Sequence, residues 1–250
     1  MDKTIKLIAL DLDGTVAGHG QKEASPATIA AVKQAQALGV EVVIATGRHR
    51  STTLPIADQL GVNYLVTLNG GEIWTREGKL LHRQAIDQAT VEKIIDIHKQ
   101  NNTFYWLVSH ERIYREHLPE NYQEHQWIKF GFDVEDGRVR EQMRNQFAEM
   151  PTIELSNSSL TNMELNAKGT HKAAAIAILI EQLDATMEQV MVVGDSLNDL
   201  KMIEAAGIGV AMGNGQELVK QKADWVTKPL NEEGVAHAIN YFVNKKAVQN

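Results

Sequence analysis

Short β-branched strands alternate with helical stretches at both ends of this chain, and that alternation limits it more than any other feature. Strands joined through helices must run parallel in one sheet, with helices covering its faces. The strand Ile5–Leu10 comes first, followed by a helix with Ser25 as N-cap, Pro26 at its first position and Gly39 as its stop. A strand Val40–Ala45, a helix around Leu54–Leu60 and a strand Tyr64–Leu68 continue the pattern. It resumes with helix Ala173–Leu183, strand Val190–Val193, helix Asn198–Ala206 and strand Ile208–Met212. Helix Gln216–Lys222, strand Asp224–Val226 and a last helix near Glu232–Phe242 complete it. The expected class is α/β: a Rossmann-like three-layer core around a parallel sheet.

The middle of the chain breaks the alternation and changes composition. Phe104, Tyr105, Trp106, Tyr114, Tyr122, Trp127, Phe130, Phe132 and Phe147 all lie between Arg83 and Leu160, whereas the flanks draw on Ala, Val, Ile and Leu. Strand-like stretches at Phe104–Ser109 and Trp127–Val134, with helices near Thr90–Lys99 and Glu141–Ala148, describe a smaller α+β unit. An inserted domain over 83–161 is expected, with the core split into 1–82 and 162–250. The aromatics are expected to form mostly the insertion's own core, with one or two facing a cleft.

In an open parallel sheet, ligands bind outside the carboxyl ends of the strands. The first strand ends in Asp11-Leu12-Asp13-Gly14-Thr15, two carboxylates two residues apart with a glycine that lets the chain turn away. The second ends in Thr46-Gly47-Arg48, offering a hydroxyl and an unobstructed backbone N–H. The strand near Val193 ends in Gly194-Asp195-Ser196-Leu197-Asn198-Asp199, and Asn69-Gly70-Gly71 is a weaker fourth strand end. Each alone has an ordinary explanation as a turn or an N-cap. Together, each directly behind a strand, they point to one cleft.

Four carboxylates at neighbouring strand ends repel one another and require a cation. All-oxygen ligands favour a hard ion, and Mg²⁺ is the natural choice. Lys172, at the start of a helix, is placed to add a second positive charge. His110, His117 and His125 are spaced too irregularly for a metal set and are expected at the surface or facing substrate.

Composition narrows the partners. The chain has no cysteine, which removes disulfides, thiolate nucleophiles and cysteine-ligated metals. A formal net charge of −7 is the wrong sign for gripping a nucleic-acid backbone. The purest apolar run, Ala173–Ile180, is far short of the roughly 20 residues of a membrane span. No membrane, no nucleic acid and a cytoplasmic location are the expectations, with oligomeric state open.

With these motifs in order, the sequence resembles the haloacid dehalogenase superfamily, and within it the Cof-type sugar-phosphatase group. Asp11-Leu12-Asp13-Gly14-Thr15, Thr46-Gly47-Arg48, Lys172, and Gly194-Asp195 with Asn198-Asp199 match its four motifs. Leu68-Asn69-Gly70-Gly71, Ala211-Met212-Gly213-Asn214 and Asn231-Glu232-Glu233-Gly234 are further phrases of that group, which carries an α/β cap where the insertion falls. The chain departs from the group at Gly169-Thr170-His171-Lys172-Ala173, which leaves Lys168 a rival although Lys172 keeps the spacing before the helix, and at Gly215.

The resemblance implies a phosphatase of small phosphorylated metabolites, above all sugar phosphates. It makes Asp11 the nucleophile that forms an aspartyl-phosphate, and Asp13 the general acid and then base. It gives Mg²⁺ to Asp11, Asp195 and the main chain of Asp13. It gives the phosphate to Thr46, Gly47 and Lys172, with Arg48, Asn69 and Asn198 beside them and Asp199 behind. Asp13 argues against carbon–halogen cleavage, because a halide leaving group needs no acid. The alternatives are a dedicated phosphatase for phosphoglycolate, pyridoxal phosphate or sucrose phosphate, a phosphomutase, or a metabolite-binding regulator with a vestigial site.

Overall fold

The signals around the first helix act as expected. The Ser25 hydroxyl accepts the Thr28 N–H at 3.1 Å, Pro26 opens α1 (Pro26–Ala37), and Gly39 leaves it at φ +82°. The computed structural model describes residues 4–244. Strands β1 (Leu7–Leu10), β2 (Glu41–Ala45) and β3 (Tyr64–Thr67) pair in parallel. Helix α2 (Arg50–Leu60) begins a turn earlier than expected. His49 accepts the Ser51 N–H, and the hydroxyls of Thr52 and Thr53 donate to its carbonyl, so the turn ahead of Pro55 is held by side chains. A hairpin of β4 (Glu72–Thr75) and β5 (Leu80–Arg83), which the alternation did not announce, extends the sheet antiparallel to β3.

The chain then leaves for a second sheet. Helix α3 (Gln88–Asn101) precedes β6 (Phe104–Ser109), β7 (Ile113–Arg115) and β8 (Trp127–Asp133). Helix α4 (Gly137–Ala148), β9 (Ile153–Ser156) and β10 (Asn162–Ala167) complete the unit. Its five strands run in the order β7-β6-β8-β10-β9, antiparallel throughout. One face packs Tyr114, Phe130, Phe132 and Leu165 against Ile94 and Ile95 of α3 and Phe147 of α4. The expected boundary after residue 161 therefore falls too early. Met163 and Leu165 alternate into this apolar core, and β10 is hydrogen-bonded on both sides within the second sheet.

The alternation restarts at α5 (Lys172–Gln182) and runs through β11 (Val190–Gly194), α6 (Leu200–Ala205), β12 (Ile208–Ala211), α7 (Glu217–Lys222), β13 (Trp225–Val226) and α8 (Gly234–Ile239). The complete core sheet is β13-β12-β11-β1-β2-β3-β4-β5, parallel except for the hairpin. Apolar side chains of α1, α2 and α8 cover one face, and those of α5, α6 and α7 cover the other. This is the expected three-layer α/β core with an inserted unit. Both connections to the insertion abut the turn at Leu68–Gly71. The Gln84 N–H donates to the Gly71 carbonyl at 2.9 Å, and a β-carbon on Gly70 would stand 2.6 Å from the His171 carbonyl oxygen. Among the described residues, no helix is long and apolar enough to cross a membrane.

Candidate active site

β1 and β11 are hydrogen-bonded neighbours, so their carboxyl ends deliver Asp11 and Asp195 side by side. After Asp11 the chain turns tightly, the Leu12 carbonyl accepting the N–H groups of Thr15, Val16 and Ala17. Gly14 is required here. Its φ is +87°, and a β-carbon would meet Asp195 Oδ2 at 2.4 Å. Gly194 leaves similar room for Asp199, whose Cγ would lie 2.5 Å from a β-carbon. Lys172, fully buried, spans the gap: its Nζ lies 2.6 Å from Asp11 Oδ1 and 2.6 Å from Asp199 Oδ1. Asp199 is spent on this task, since its Oδ2 accepts the N–H groups of Asp195 and Ser196 at 2.9 and 3.1 Å.

The charges do not balance. Asp11, Asp195 and Asp199 are buried, with carboxylate oxygens within 4.8 Å of one another, and Lys172 supplies a single positive charge. Burial pushes the Asp11 carboxyl well up, Lys172 opposing and Asp199 and Asp195 adding to it. Burial, with the Asp199 charge next, pushes Asp195 up to about 7. Burial alone would lower Lys172, but the two carboxylates outweigh it and hold the ammonium charged. An all-oxygen donor set with surplus negative charge fits a hard divalent cation. Thr15 Oγ1 donates to Asp195 Oδ1 at 3.2 Å, leaving Asp195 Oδ2 and Asp11 Oδ2 without protein donors among the described residues.

Asp13 faces the same cleft from the other side. Burial would raise its carboxyl, but Arg48 and the Gly20 N–H hold it below the ordinary carboxylate value. Arg48 grips it with two nitrogens, Nε to Oδ2 at 2.8 Å and Nη2 to Oδ1 at 2.7 Å. Thr46 is buried and its hydroxyl accepts the Arg48 N–H at 3.1 Å. Asn69 stands in left-handed backbone at φ 59°, and its amide meets Asn198 Nδ2 at 3.3 Å and Glu164 Oε2 at 2.7 Å.

The structure thus brings Asp11, Asp13, Thr46, Gly47, Arg48, Asn69, Lys172, Asp195, Asn198 and Asp199 around the ends of four neighbouring strands, β11, β1, β2 and β3. Lys168 is elsewhere, exposed beside Glu154 at 3.8 Å.

Sequence reasoning missed the roof of the cleft. Lys129 on β8 and Glu164 on β10, both buried, pair at 2.7 Å, and Lys129 Nζ donates to the Gly47 carbonyl at 3.1 Å. Trp106, Val108, Ile113 and Arg115 of the second sheet also line this cleft of about 340 Å³. His110 and His125 sit instead by Glu111, at 3.7 and 3.9 Å. Most insertion aromatics are that unit's own core, and Trp106 is the one that faces the cleft.

The sequence profile of the haloacid dehalogenase-like hydrolases matches residues 8–138 and 116–239. The chain belongs to this family. Its members include a relative 42% identical over 243 residues, spanning 97% of both chains: 5-amino-6-(5-phospho-D-ribitylamino)uracil phosphatase YcsE of Bacillus subtilis. A solved haloacid dehalogenase-like hydrolase from Bacillus subtilis superposes with a TM-score of 0.87 at 28% identity, covering 95% of this chain and 99% of that one. The subclass IIB sugar phosphatase BT4131 superposes at 0.84 with 25% identity, covering 95% and 98%. The chain is a Cof-type phosphatase of the haloacid dehalogenase superfamily, with the buried aspartates of its divalent-metal site and a cap over them. Its substrates are small phosphorylated metabolites.

Proposed function

We propose that this haloacid dehalogenase-like protein is a Mg²⁺-dependent phosphomonoesterase acting on a phosphorylated polyol, 5-amino-6-(5-phospho-D-ribitylamino)uracil. The Asp11–Lys172–Asp199 chain, with Asp13 two residues on, carries the chemistry. The near-full-length 42% identity to a phosphatase named for that ester supports the substrate. Asp11, Asp195 and the main chain of Asp13 would hold Mg²⁺, which neutralises charge on the transferring phosphoryl group.

Asp11 Oδ2 attacks phosphorus as the ester P–O bond breaks, giving an aspartyl-phosphate and an alkoxide. Asp13 gives the alkoxide a proton, then takes one from the water that attacks phosphorus and releases phosphate from Asp11. Arg48 keeps Asp13 ionised in this structure, so acid catalysis requires Arg48 to shift its hydrogen bonds to another anion, for which the phosphate ester serves. Thr46, the Gly47 N–H and Lys172 stabilise the equatorial oxygens. Asn198 lines the cleft with Asn69 accepting its amide N–H behind it, and Asp199 positions Lys172.

The test is phosphate release from that ester and from a panel of phosphomonoesters, with Mg²⁺, with EDTA, and by Asp11→Asn. Activity is expected to vanish in EDTA, return with Mg²⁺, and be absent from Asp11→Asn. Undiminished turnover by Asp11→Asn would sink the covalent route. Isomerised ester without free phosphate would make the protein a mutase, and binding without turnover would make it a regulator.

A further inference from the structure

In the cap sheet, one row of paired residues crosses the roof of the cleft: Arg115 on β7, Trp106 on β6, Gly131 on β8 and Glu164 on β10. Directly paired residues share a face, so all four belong to the side turned toward Asp11. Gly131 is where the row is unusual. A β-carbon there would stand 2.0 Å from Trp106 Cε2, 2.1 Å from Cζ2 and 2.6 Å from Nε1. The indole therefore lies flat across the bare backbone of Gly131, and only glycine on the neighbouring strand permits it. Laid down in this way, and half-buried, the ring offers its other face to the cleft it lines.

Next in the row, exposed Arg115 lines the same cleft, and its side chain has no ion pair or hydrogen bond among the described residues. Beyond Gly131 on the other side, Glu164 and its partner Lys129 reach down to Asn69 and the Gly47 carbonyl, at the phosphate end. At ~4.8 Å per strand, Arg115 lies about 14 Å from the Glu164 strand along the sheet. Read outward from Asp11, the order is phosphate site, polar pair, flat indole, guanidinium.

We propose that Trp106 and Arg115 form a ring subsite that selects phosphomonoesters in which a short hydroxylated chain joins the phosphate to a flat, carbonyl-bearing ring. The ring stacks on the indole held down by Gly131, and Arg115 donates to its carbonyl oxygens. Hydroxyls of the connecting chain pass Lys129 and Glu164. This subsite rests on the phosphomonoesterase reading, but it does not depend on the ring being a uracil.

The experiment compares kcat and KM for three esters: 5-amino-6-(5-phospho-D-ribitylamino)uracil, riboflavin 5′-phosphate and ringless ribitol 5-phosphate. Wild type, Trp106→Ala, Trp106→Phe, Arg115→Ala and Gly131→Val are assayed. Wild type is expected to favour a ring-bearing ester. Trp106→Ala should lower its kcat/KM relative to ribitol 5-phosphate about tenfold, the size of a lost stacking contact, mainly through KM. Trp106→Phe should recover most of that ratio. Gly131→Val should behave like Trp106→Ala, because it lifts the indole, and Arg115→Ala should lower the ratio in the same sense. Equal losses on ringless and ring-bearing esters, or no ring preference in wild type, would overturn the subsite. Preference for riboflavin 5′-phosphate with the same Trp106 dependence, but no turnover of the uracil ester, would retire only the proposed substrate.

Discussion

Lys172 has no exposed surface and two carboxylate partners, so its removal leaves three buried acids with nothing between them. Breaking a buried pair from one side costs ~3–5 kcal/mol, and loss of one preorganised donor costs ~10²–10³ in rate. Lys172→Ala should therefore lower both the urea midpoint and kcat, where a surface lysine would change neither. Asn69 separates backbone from side chain. At φ 59° it occupies the left-handed region, and its amide links Asn198 to Glu164. Asn69→Gly keeps the conformation and loses the amide, whereas Asn69→Ala loses both. The alanine variant should be less stable than the glycine variant by ~1–2 kcal/mol in denaturant titrations.

Helix α1 illustrates what an element owes to its own sequence. Its cap is Ser25, whose hydroxyl also donates to Glu233 ahead of α8. Ser25→Ala should cost ~1 kcal/mol of stability with kcat unaltered, which thermal unfolding and phosphate release would check. Elements with such signals, and strands buried on both faces, were legible: the Val40–Ala45 expectation lies one residue from β2. The hairpin β4–β5 and the strands β7, β9 and β10 were not. Glu72, Arg83 and Glu164 interrupt the apolar runs of β4, β5 and β10, and each finds its ion-pair partner on the adjacent strand, as in the Arg83–Glu72 pair at 2.7 Å. The same physics divides the site. Asp11, Thr46 and Asp195 come directly behind their strands, with Asp199 one turn further on, and could be picked out locally. Lys129, Glu164 and Trp106 acquire meaning only when one sheet folds over the other.

At the scale of the molecule, polar contacts tie cap to core around the cleft: Lys129 donates to the Gly47 carbonyl, Asn69 to Glu164, Asn166 to the Leu68 carbonyl, and the Asn198 N–H to the Asn157 carbonyl. Lys129→Met leaves Glu164 buried without its cation, so stability should fall by ~3–5 kcal/mol. Proteolysis in the connections 84–87 and 168–171 should quicken, and gel electrophoresis of timed digests would show it. Those two connections meet at one turn, Gln84 bonded to Gly71 and His171 pressed on Gly70. Entry and exit thus share a single socket on the scaffold. A segment of any length whose ends come together there can be exchanged without altering the register of the eight-stranded sheet. Chemistry and recognition are thereby separable parts, and a transplanted cap would redirect the same aspartates to a different alcohol.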